Sequence, residues 1–139
     1  EDLEYWGWSE VVVTPRGGFW DSDHIGIATP PIEIDAGWLF IYYGVKQTST
    51  GPLFRLGAVI LAAENPTEIL GRTNVPILSP REIYERIGDV SNLVFSCGAI
   101  IEPSGEVRLY YGAANSCICL GTTKVQNIVQ ACLKSEKEF

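Results

Sequence analysis

The feature that most constrains the fold is a hairpin that occurs twice in the chain. Residues 37–45 read Gly-Trp-Leu-Phe-Ile-Tyr-Tyr-Gly-Val, and residues 105–113 repeat the pattern as Gly-Glu-Val-Arg-Leu-Tyr-Tyr-Gly-Ala, 68 positions later. The strands that follow also match, residues 54–59 with residues 118–123. Such self-similarity indicates a repeat architecture, in which each unit buries its apolar faces against its neighbours. We therefore expect an all-β fold, a partial β-propeller, because two units are too few to close a ring of four or more blades.

The rest of the chain fits this interpretation. Segments rich in β-branched and aromatic residues, separated by turn residues, predict strands at Glu10–Thr14, Ile25–Ile34, Trp38–Val45, Phe54–Ala62, Leu93–Glu102, Val107–Ala113 and Ile118–Thr123. A helical turn is predicted at residues 82–86. Apolar residues at helical spacing from Val125 to Leu133 predict a short C-terminal helix, which we expect to dock on the chain's own sheet rather than on a partner. No linker divides residues 1–139, so we expect a single domain or domain fragment of about two to three propeller blades.

Charge and hydropathy exclude several partners. The net charge is −7, the pI is near 4.6, and the ten basic residues are scattered singly, which argues against binding to nucleic acid or to an anionic membrane. No apolar run approaches the roughly 20 residues that span a bilayer. The chain begins with Glu1 and contains no methionine, so we expect either a trimmed start or a missing N-terminal part.

Four cysteines raise the alternatives of a disulfide or a metal site. They are Cys97, Cys117, Cys119 and Cys132. The sequence contains no C-x-x-C motif, and the single histidine, His24, is distant in sequence. We therefore expect buried free thiols that behave as small hydrophobic side chains, no metal, and a reducing, cytoplasmic location.

A set of short segments carries a more specific signal. In order they are Phe19-Trp20-Asp21-Ser22, Pro30-Pro31-Ile32-Glu33, the 37–45 hairpin strand, Arg55-Leu56-Gly57-Ala58, Asn65-Pro66, Gly71-Arg72-Thr73, Pro76-Ile77-Leu78, Tyr84-Glu85-Arg86, Gly88-Asp89-Val90, Phe95-Ser96-Cys97-Gly98 and residues 109–114. Each is weak alone, but in this order and spacing they resemble glycoside hydrolase family 130, the β-mannoside phosphorylases and related hydrolases. The resemblance covers nearly the whole chain and corresponds to the C-terminal half of the family's five-bladed propeller.

The resemblance implies an inverting transfer of a mannosyl group to phosphate or water. In the family the catalytic acid is an aspartate of the N-terminal half, so no catalytic residue is assigned in this chain. It implies an oligosaccharide or mannoside as ligand, inorganic phosphate as a possible co-substrate, and no other cofactor. The missing N-terminal half, or further copies of this chain, are the partners that it suggests.

Three departures from the family pattern concern the pocket. His24 stands where phosphorolytic members typically carry a lysine, Tyr43 where they commonly have histidine, and Asn115 where they have aspartate. A partly charged imidazole and a neutral phenol are weaker anion ligands, and an amide satisfies different sugar hydroxyls from a carboxylate. The departures favour hydrolysis or an altered substrate over tight use of phosphate.

The substrate-binding candidates are Asp21, His24, Tyr43, Asp89 and Asn115. For Asp21 a turn-capping role is an equally good account, and for Asp89 a loop-capping role is the alternative. His24 is equally well explained as a structural hydrogen-bond donor. Tyr43 and Tyr111 occupy equivalent repeat positions, which favours a structural role for at least one of them.

Three other residues have expectations of their own. Trp20 is the better candidate for a sugar platform, and Trp38 is expected in the core. Arg86 is expected to pair with Glu82 or Glu85.

A competing hypothesis comes from a different functional class. A stand-alone truncated propeller would bind sugar or self-associate without catalysis, because a partial ring exposes apolar blade faces and strand edges.

Overall fold

The computed structural model describes residues 7–135 as two antiparallel sheets and two helices. The elements are β1 (His24–Ile27), β2 (Ile32–Ile34), β3 (Gly37–Thr48), β4 (Gly51–Leu61), β5 (Ile69–Arg72), α1 (Ile83–Arg86), β6 (Val94–Ile101), β7 (Glu106–Ala113), β8 (Cys117–Lys124) and α2 (Val125–Leu133). Sheet 1 has the order β1-β3-β4-β5, and β2 also pairs with β3; sheet 2 has the order β6-β7-β8. Each sheet is a meander, the form that a propeller blade takes.

The two predicted hairpins form as expected, and the glycine at each turn has a positive φ. Gly37 has φ 133° and pairs with Ile34, and Gly105 has φ 83° and ends the turn before β7. In Gly37 an added Cβ would also overlap the carbonyl oxygen of Leu61. Both glycines are therefore required by backbone geometry.

The segment predicted as one strand at Ile25–Ile34 is two short strands. Proline cannot donate a ladder hydrogen bond, and Pro30 and Pro31 interrupt the pairing with β3. Ahead of them, the N–H groups of Ala28 and Thr29 both donate to the carbonyl of Ile41, each at 3.0 Å. β1 and β2 thus form one broken edge strand of sheet 1.

One further predicted strand does not form, and one strand is present that the residue pattern does not predict. Residues 10–14 form no strand; instead Val12 and Val13 pack on sheet 1 through their side chains, and the carbonyl of Thr14 accepts a hydrogen bond from Arg72 at 2.7 Å. β5 was not predicted from the residue pattern. It is only four residues long and contains a glycine, so its β-strand signal is weak.

The apolar core joins the two sheets and α2. Ile41 and Leu56 of sheet 1 cluster with Val94, Leu109 and Tyr111 of sheet 2. The C-terminal helix docks on the chain itself, as predicted: its buried residues Ile128 and Cys132 belong to a cluster with Leu39, Ile60 and Val107. The part of the chain described contains no helix long and apolar enough to cross a membrane.

Candidate functional site

One end of the two sheets gathers four of the five predicted site residues. His24 begins β1 and pairs with Val45, which pairs in turn with Phe54 near the start of β4. Phe54 bridges in parallel to Leu93, just before β6, and its N–H donates to the carbonyl of Asn92 at 3.0 Å. The starts of β1 and β6, the first strands of the two sheets, therefore lie at the same end, which we call the site end.

Asp89 and Asn115 form a hydrogen-bonded pair at the site end. The Asn115 side-chain amide donates to Asp89 Oδ2 at 2.7 Å, and the backbone N–H of Asp89 donates to Ser116 Oγ at 2.9 Å. Ala114 and Asn115 both have a left-handed backbone, with φ of 48° and 52°, which turns β7 into β8. A Cβ on Gly88 would overlap Ala114 and Ser116, so glycine lets the Asp89 loop approach this turn.

His24 is held by a neighbouring carboxylate. Its Nδ1 lies 2.7 Å from Asp23 Oδ2, which also accepts a hydrogen bond from the Gln47 side chain at 3.2 Å. The hydrogen bonds from His24 and Gln47 lower the pKa of Asp23. About half of the His24 side chain is exposed. With Nδ1 engaged, Nε2 is the ring nitrogen that can contact a ligand.

Tyr43 belongs to a group of aromatic rings beside His24. Its ring centroid lies 5.2 Å from that of Phe95 and 6.4 Å from that of Phe54, and the His24 ring stands edge-on to both Tyr43 and Phe54. A Cβ on Gly26 would overlap the Tyr43 ring, so glycine makes room for it. A cleft of about 290 Å³ lies next to this group, between residues 27–31 and residues 95–97.

For Asp21 the structure corrects the expectation of a sugar contact. The side chain is fully buried, and its oxygens accept hydrogen bonds from Arg16 at 3.0 Å, Arg72 at 2.7 Å and the Tyr42 hydroxyl at 2.8 Å. Burial raises the pKa of Tyr42, so its hydroxyl stays protonated and can donate. The Asp21 carboxylate thus compensates the positive charges of two buried arginines. Because it is fully buried, it is not accessible to a ligand.

Trp20 is not a sugar platform, because it is packed inside the same region. It is 6% exposed and stacks on Tyr42 with ring centroids 5.5 Å apart. Added Cβ atoms at Gly44 and Gly57 would overlap its ring, so these glycines leave space for it on sheet 1. Trp38 is half-buried and packs against the apolar cluster that contains Trp20 and Tyr42, in keeping with its predicted core position.

A second buried carboxylate, Glu85, was not predicted as part of a tyrosine contact. It accepts hydrogen bonds from the Tyr111 hydroxyl at 2.6 Å and from the backbone N–H groups of Arg81 and Glu82 at 2.6 and 2.9 Å. Burial raises the pKa of Glu85, but these hydrogen bonds outweigh it and the net pKa is lowered. Among residues 7–135 no salt bridge includes Arg86, so its expected pairing with Glu82 or Glu85 is wrong.

In each sheet one tyrosine donates a hydrogen bond to a buried carboxylate. These two tyrosines are 69 positions apart in the chain, whereas the sequence repeat has an offset of 68. Tyr42 donates to Asp21 and Tyr111 donates to Glu85, and each carboxylate precedes the first strand of its sheet. Tyr43, the expected counterpart of Tyr111, faces the aromatic group instead. The structural equivalent of Tyr111 is therefore Tyr42, one position from the residue that the sequence repeat aligns with it.

The cysteines are free but mostly not buried. Cys132 is buried, Cys119 is half-buried, and Cys97 and Cys117 are exposed, so the expectation of burial is wrong for the last two. Cys117 and Cys119 do share one face of β8, with their sulfur atoms 3.9 Å apart. Within residues 7–135 no three or more His, Cys, Asp or Glu side chains are grouped to hold a metal ion.

Comparison with known proteins shows the class to which this arrangement belongs. The model of glycoside hydrolase family 130, described as β-1,4-mannooligosaccharide phosphorylase, matches residues 1–134. The chain belongs to this family, as the sequence segments predicted. Its fold is part of a five-bladed β-propeller, the architecture of the solved relatives.

Individual relatives agree with the family assignment. The chain is similar to β-1,4-mannooligosaccharide phosphorylase of Ruminococcus albus, at 36% identity over 92% of this chain and 38% of that protein. It is also similar to β-1,2-mannobiose phosphorylase of Thermoanaerobacter sp., at 38% identity over 84% of this chain and 37% of that protein.

A solved structure matches the fold directly. The β-1,2-mannobiose phosphorylase of Listeria innocua, in complex with β-1,2-mannobiose, superposes with a TM-score of 0.82 at 33% identity over 89% of this chain and 34% of that one. The chain thus spans a little more than a third of the length of these relatives.

Proposed function

We propose that the chain forms part of the sugar pocket of an enzyme that transfers a mannosyl group from a β-mannoside to phosphate or water. The observation that carries the proposal is the collection of His24, Tyr43, Asp89 and Asn115 at one end of the two sheets. His24, Asp89 and Asn115 are exposed, and the His24 ring lies beside the rings of Tyr43 and Phe54. Polar groups bind sugar hydroxyls and aromatic rings bind apolar sugar faces. The relatives that share the family fold are named as mannoside phosphorylases.

Asp89 and Asn115 are proposed as the contacts to sugar hydroxyls. The pair is exposed, and its hydrogen bond fixes both side chains against the β7–β8 turn. Asp89 keeps a free carboxylate oxygen as acceptor and Asn115 keeps its amide oxygen, so together they can satisfy two hydroxyl donors. The family resemblance places an aspartate at position 115, and asparagine there changes the acceptor set.

His24 is proposed as the side chain that meets the attacking anion or water. Asp23 fixes the imidazole, so Nε2 is presented at a constant position. A histidine in place of lysine gives a weaker anion site near neutral pH, and the neutral Tyr43 beside it adds no charge. We therefore propose that this chain favours water or a weakly bound phosphate.

The chain itself supplies no catalytic acid in this proposal. The pocket candidates include one carboxylate, Asp89, which is engaged with Asn115. The acid is proposed to come from the part of the propeller that this chain does not cover. The exposed thiols of Cys97 and Cys117 suit a reducing, cytoplasmic location, which we also propose.

The test of sugar recognition is direct binding to the chain. Titration with β-1,4-mannobiose and β-1,2-mannobiose, followed by NMR, is expected to shift signals of residues 88–89 and 115. Asp89→Ala should weaken the binding at least tenfold, because it removes an acceptor and frees Asn115. Glu106→Gln, at an exposed ion pair near the opposite end, is the matched control. Binding of neither disaccharide, or equal binding by Asp89→Ala, contradicts the proposal.

The choice between phosphate and water is tested in a complete relative. Histidine, tyrosine and asparagine are introduced into the Ruminococcus albus relative at the positions aligned with His24, Tyr43 and Asn115. Mannose 1-phosphate release should fall relative to free mannose release. Undiminished phosphorolysis contradicts the preference for water. Sugar binding by this chain with no turnover when the ring is completed supports the alternative of a non-catalytic binding module.

A further inference from the structure

Two thiols of β8 form a close pair that the sugar pocket does not use. Cys117 and Cys119 are two positions apart in this strand, so both side chains point to the same face of sheet 2. Their sulfur atoms lie 3.9 Å apart. Because Cys117 is exposed and Cys119 is half-buried, a small solute can reach both sulfur atoms from one side.

The surroundings of the pair come from this chain. Cys119 pairs with Tyr111 on β7 and packs against the apolar cluster that joins the two sheets. Cys117 pairs with Ala113, and its thiol lies 4.0 Å from the carbonyl oxygen of that residue. The pair therefore lies on the face of β8 that is turned toward sheet 1. Both strands that hold it are regular, so the two sulfur atoms are held near each other by the backbone.

The separation of the sulfur atoms suits a bridging ion better than a disulfide bond. A disulfide requires sulfur atoms about 2.05 Å apart, which is about 1.9 Å closer than the separation observed here. Two residues of strand also place the Cα atoms about 6.6 Å apart, at the upper end of the disulfide range. A zinc-type ion that binds two sulfur atoms tetrahedrally, each at about 2.3 Å, holds them about 3.8 Å apart. The observed distance is close to that value.

The neighbouring oxygen ligand is already engaged. The Glu85 carboxylate accepts hydrogen bonds from Tyr111 and from two backbone N–H groups. Among residues 7–135 no third His, Cys, Asp or Glu side chain joins the two thiols as a potential ligand. Two soft sulfur donors without a carboxylate favour thiophilic ions over magnesium or calcium.

We propose that Cys117 and Cys119 bind one thiophilic divalent cation of the zinc class, with water or a small solute completing its coordination. On binding, each thiol releases its proton to solvent and forms one sulfur–metal bond, and nothing is oxidised. The proposal departs from the sequence expectation of no metal, because only the structure shows the distance between the sulfur atoms. It is independent of the sugar chemistry proposed above.

The test is titration of the reduced 139-residue chain with cadmium ions, followed by the ultraviolet sulfur-to-cadmium charge-transfer absorption. One ion per chain is expected, which zinc ions displace and excess magnesium ions do not. Cys117→Ser should weaken binding at least tenfold, because a hydroxyl is a poor ligand for a thiophilic ion. Cys97→Ser, at another exposed thiol of sheet 2, is the matched control and should leave the affinity unchanged.

A second titration separates a folded site from two cysteines that are merely close in sequence. In urea sufficient to unfold the chain, the affinity for cadmium should fall at least tenfold, because β8 no longer holds the sulfur atoms together. Circular dichroism checks that Cys117→Ser, a change at an exposed side chain, remains folded. The proposal is overturned by absence of the charge-transfer absorption, by equal affinity of Cys117→Ser, by an equal loss in Cys97→Ser, or by unchanged affinity in urea.

Discussion

At the scale of single residues, two tyrosine–carboxylate contacts fix the loops that precede the first strands. Tyr42 with Asp21, and Tyr111 with Glu85, link the second strand of each sheet to the segment that leads into that sheet. The site end begins where these segments end, at His24 and at Asp89. The contacts therefore hold the segments that lead to two of the candidate site residues.

Removing the Tyr111 hydroxyl tests one of these contacts. Tyr111→Phe should lower the free energy of unfolding by about 1.5–3 kcal/mol, because Glu85 loses a charge-assisted hydrogen bond in a buried setting. Urea unfolding measures the change. Tyr110→Phe, one residue away and exposed, is the control and should stay within about 0.5 kcal/mol. Equal effects of the two variants would mean that the Glu85 contact contributes nothing specific.

The same contact predicts a pH dependence. The net pKa of Glu85 is lowered in the folded chain, and Tyr111 is one of the groups that lower it. A carboxyl of this kind stabilises the fold above its unfolded pKa of about 4.3 and loses that contribution as pH falls through the folded value. The difference between the native chain and Tyr111→Phe should be full at neutral pH and shrink in acid below about pH 4. A difference that grows in acid contradicts this assignment.

For Asp21 we expect a larger loss of stability. Asp21→Asn keeps the shape of the side chain but leaves Arg16 and Arg72 buried without a compensating carboxylate, at a cost of about 3–5 kcal/mol. Urea unfolding is the measurement, and loss of the folded signal counts as the expected result. Asp89→Asn, which changes an exposed carboxylate to the same amide, should cost far less. Similar stability of the two variants would show that the buried cluster is not needed for folding.

At the scale of elements, α2 depends on a close approach to β5. A Cβ on Gly71 would lie 2.6 Å from the carbonyl oxygen of Cys132, so the helix backbone rests directly on the strand. Burial raises the pKa of the Cys132 thiol to about 12, and docked α2 keeps it unreactive at neutral pH. The helix is thus part of the core, and the reactivity of the Cys132 thiol measures whether it is docked.

Gly71→Ala should displace α2 and destabilise the chain by about 1–3 kcal/mol, because the added methyl meets backbone atoms. Thiol labelling of Cys132 should speed up in parallel with the loss of thermal stability. Gly98→Ala is the matched control, because nothing lies within 4 Å of its added Cβ. Unchanged labelling of Cys132 in Gly71→Ala would mean that α2 tolerates the methyl without moving.

At the scale of the whole molecule, the core that the two sheets share predicts that they unfold together. Val94 of sheet 2 is fully buried among residues of both sheets, while all four tryptophans precede β3 or stand at its start. Val94→Ala should therefore lower the midpoint seen by tryptophan fluorescence as much as the midpoint seen by circular dichroism. We expect the free energy of unfolding to fall by about 1–2 kcal/mol, because two buried methyl groups are removed.

Ile118→Ala is the control for this experiment, because the Ile118 side chain in β8 is 83% exposed. It should change neither midpoint appreciably in the isolated chain. Separate transitions for the two probes in Val94→Ala would show that the sheets fold independently.

Sequence alone determined the fold class, the family, the two hairpins, the α1 turn and the C-terminal helix. These depend on short-range patterns such as alternation, turn glycines and helical spacing, which residues carry locally. The proline pair at residues 30–31 also carried a visible signal, since proline disfavours an unbroken strand.

Only the tertiary structure decided which polar residues face solvent and which face each other. Asp21 and Asp89 are the same residue type in similar loops, yet two buried arginines enclose one and the other stays exposed. The sequence repeat aligned Tyr43 with Tyr111, because sequence similarity does not show which face of a strand contacts a carboxylate from a distant loop. A one-residue difference in register reverses the face of a side chain, and register is set by long-range packing.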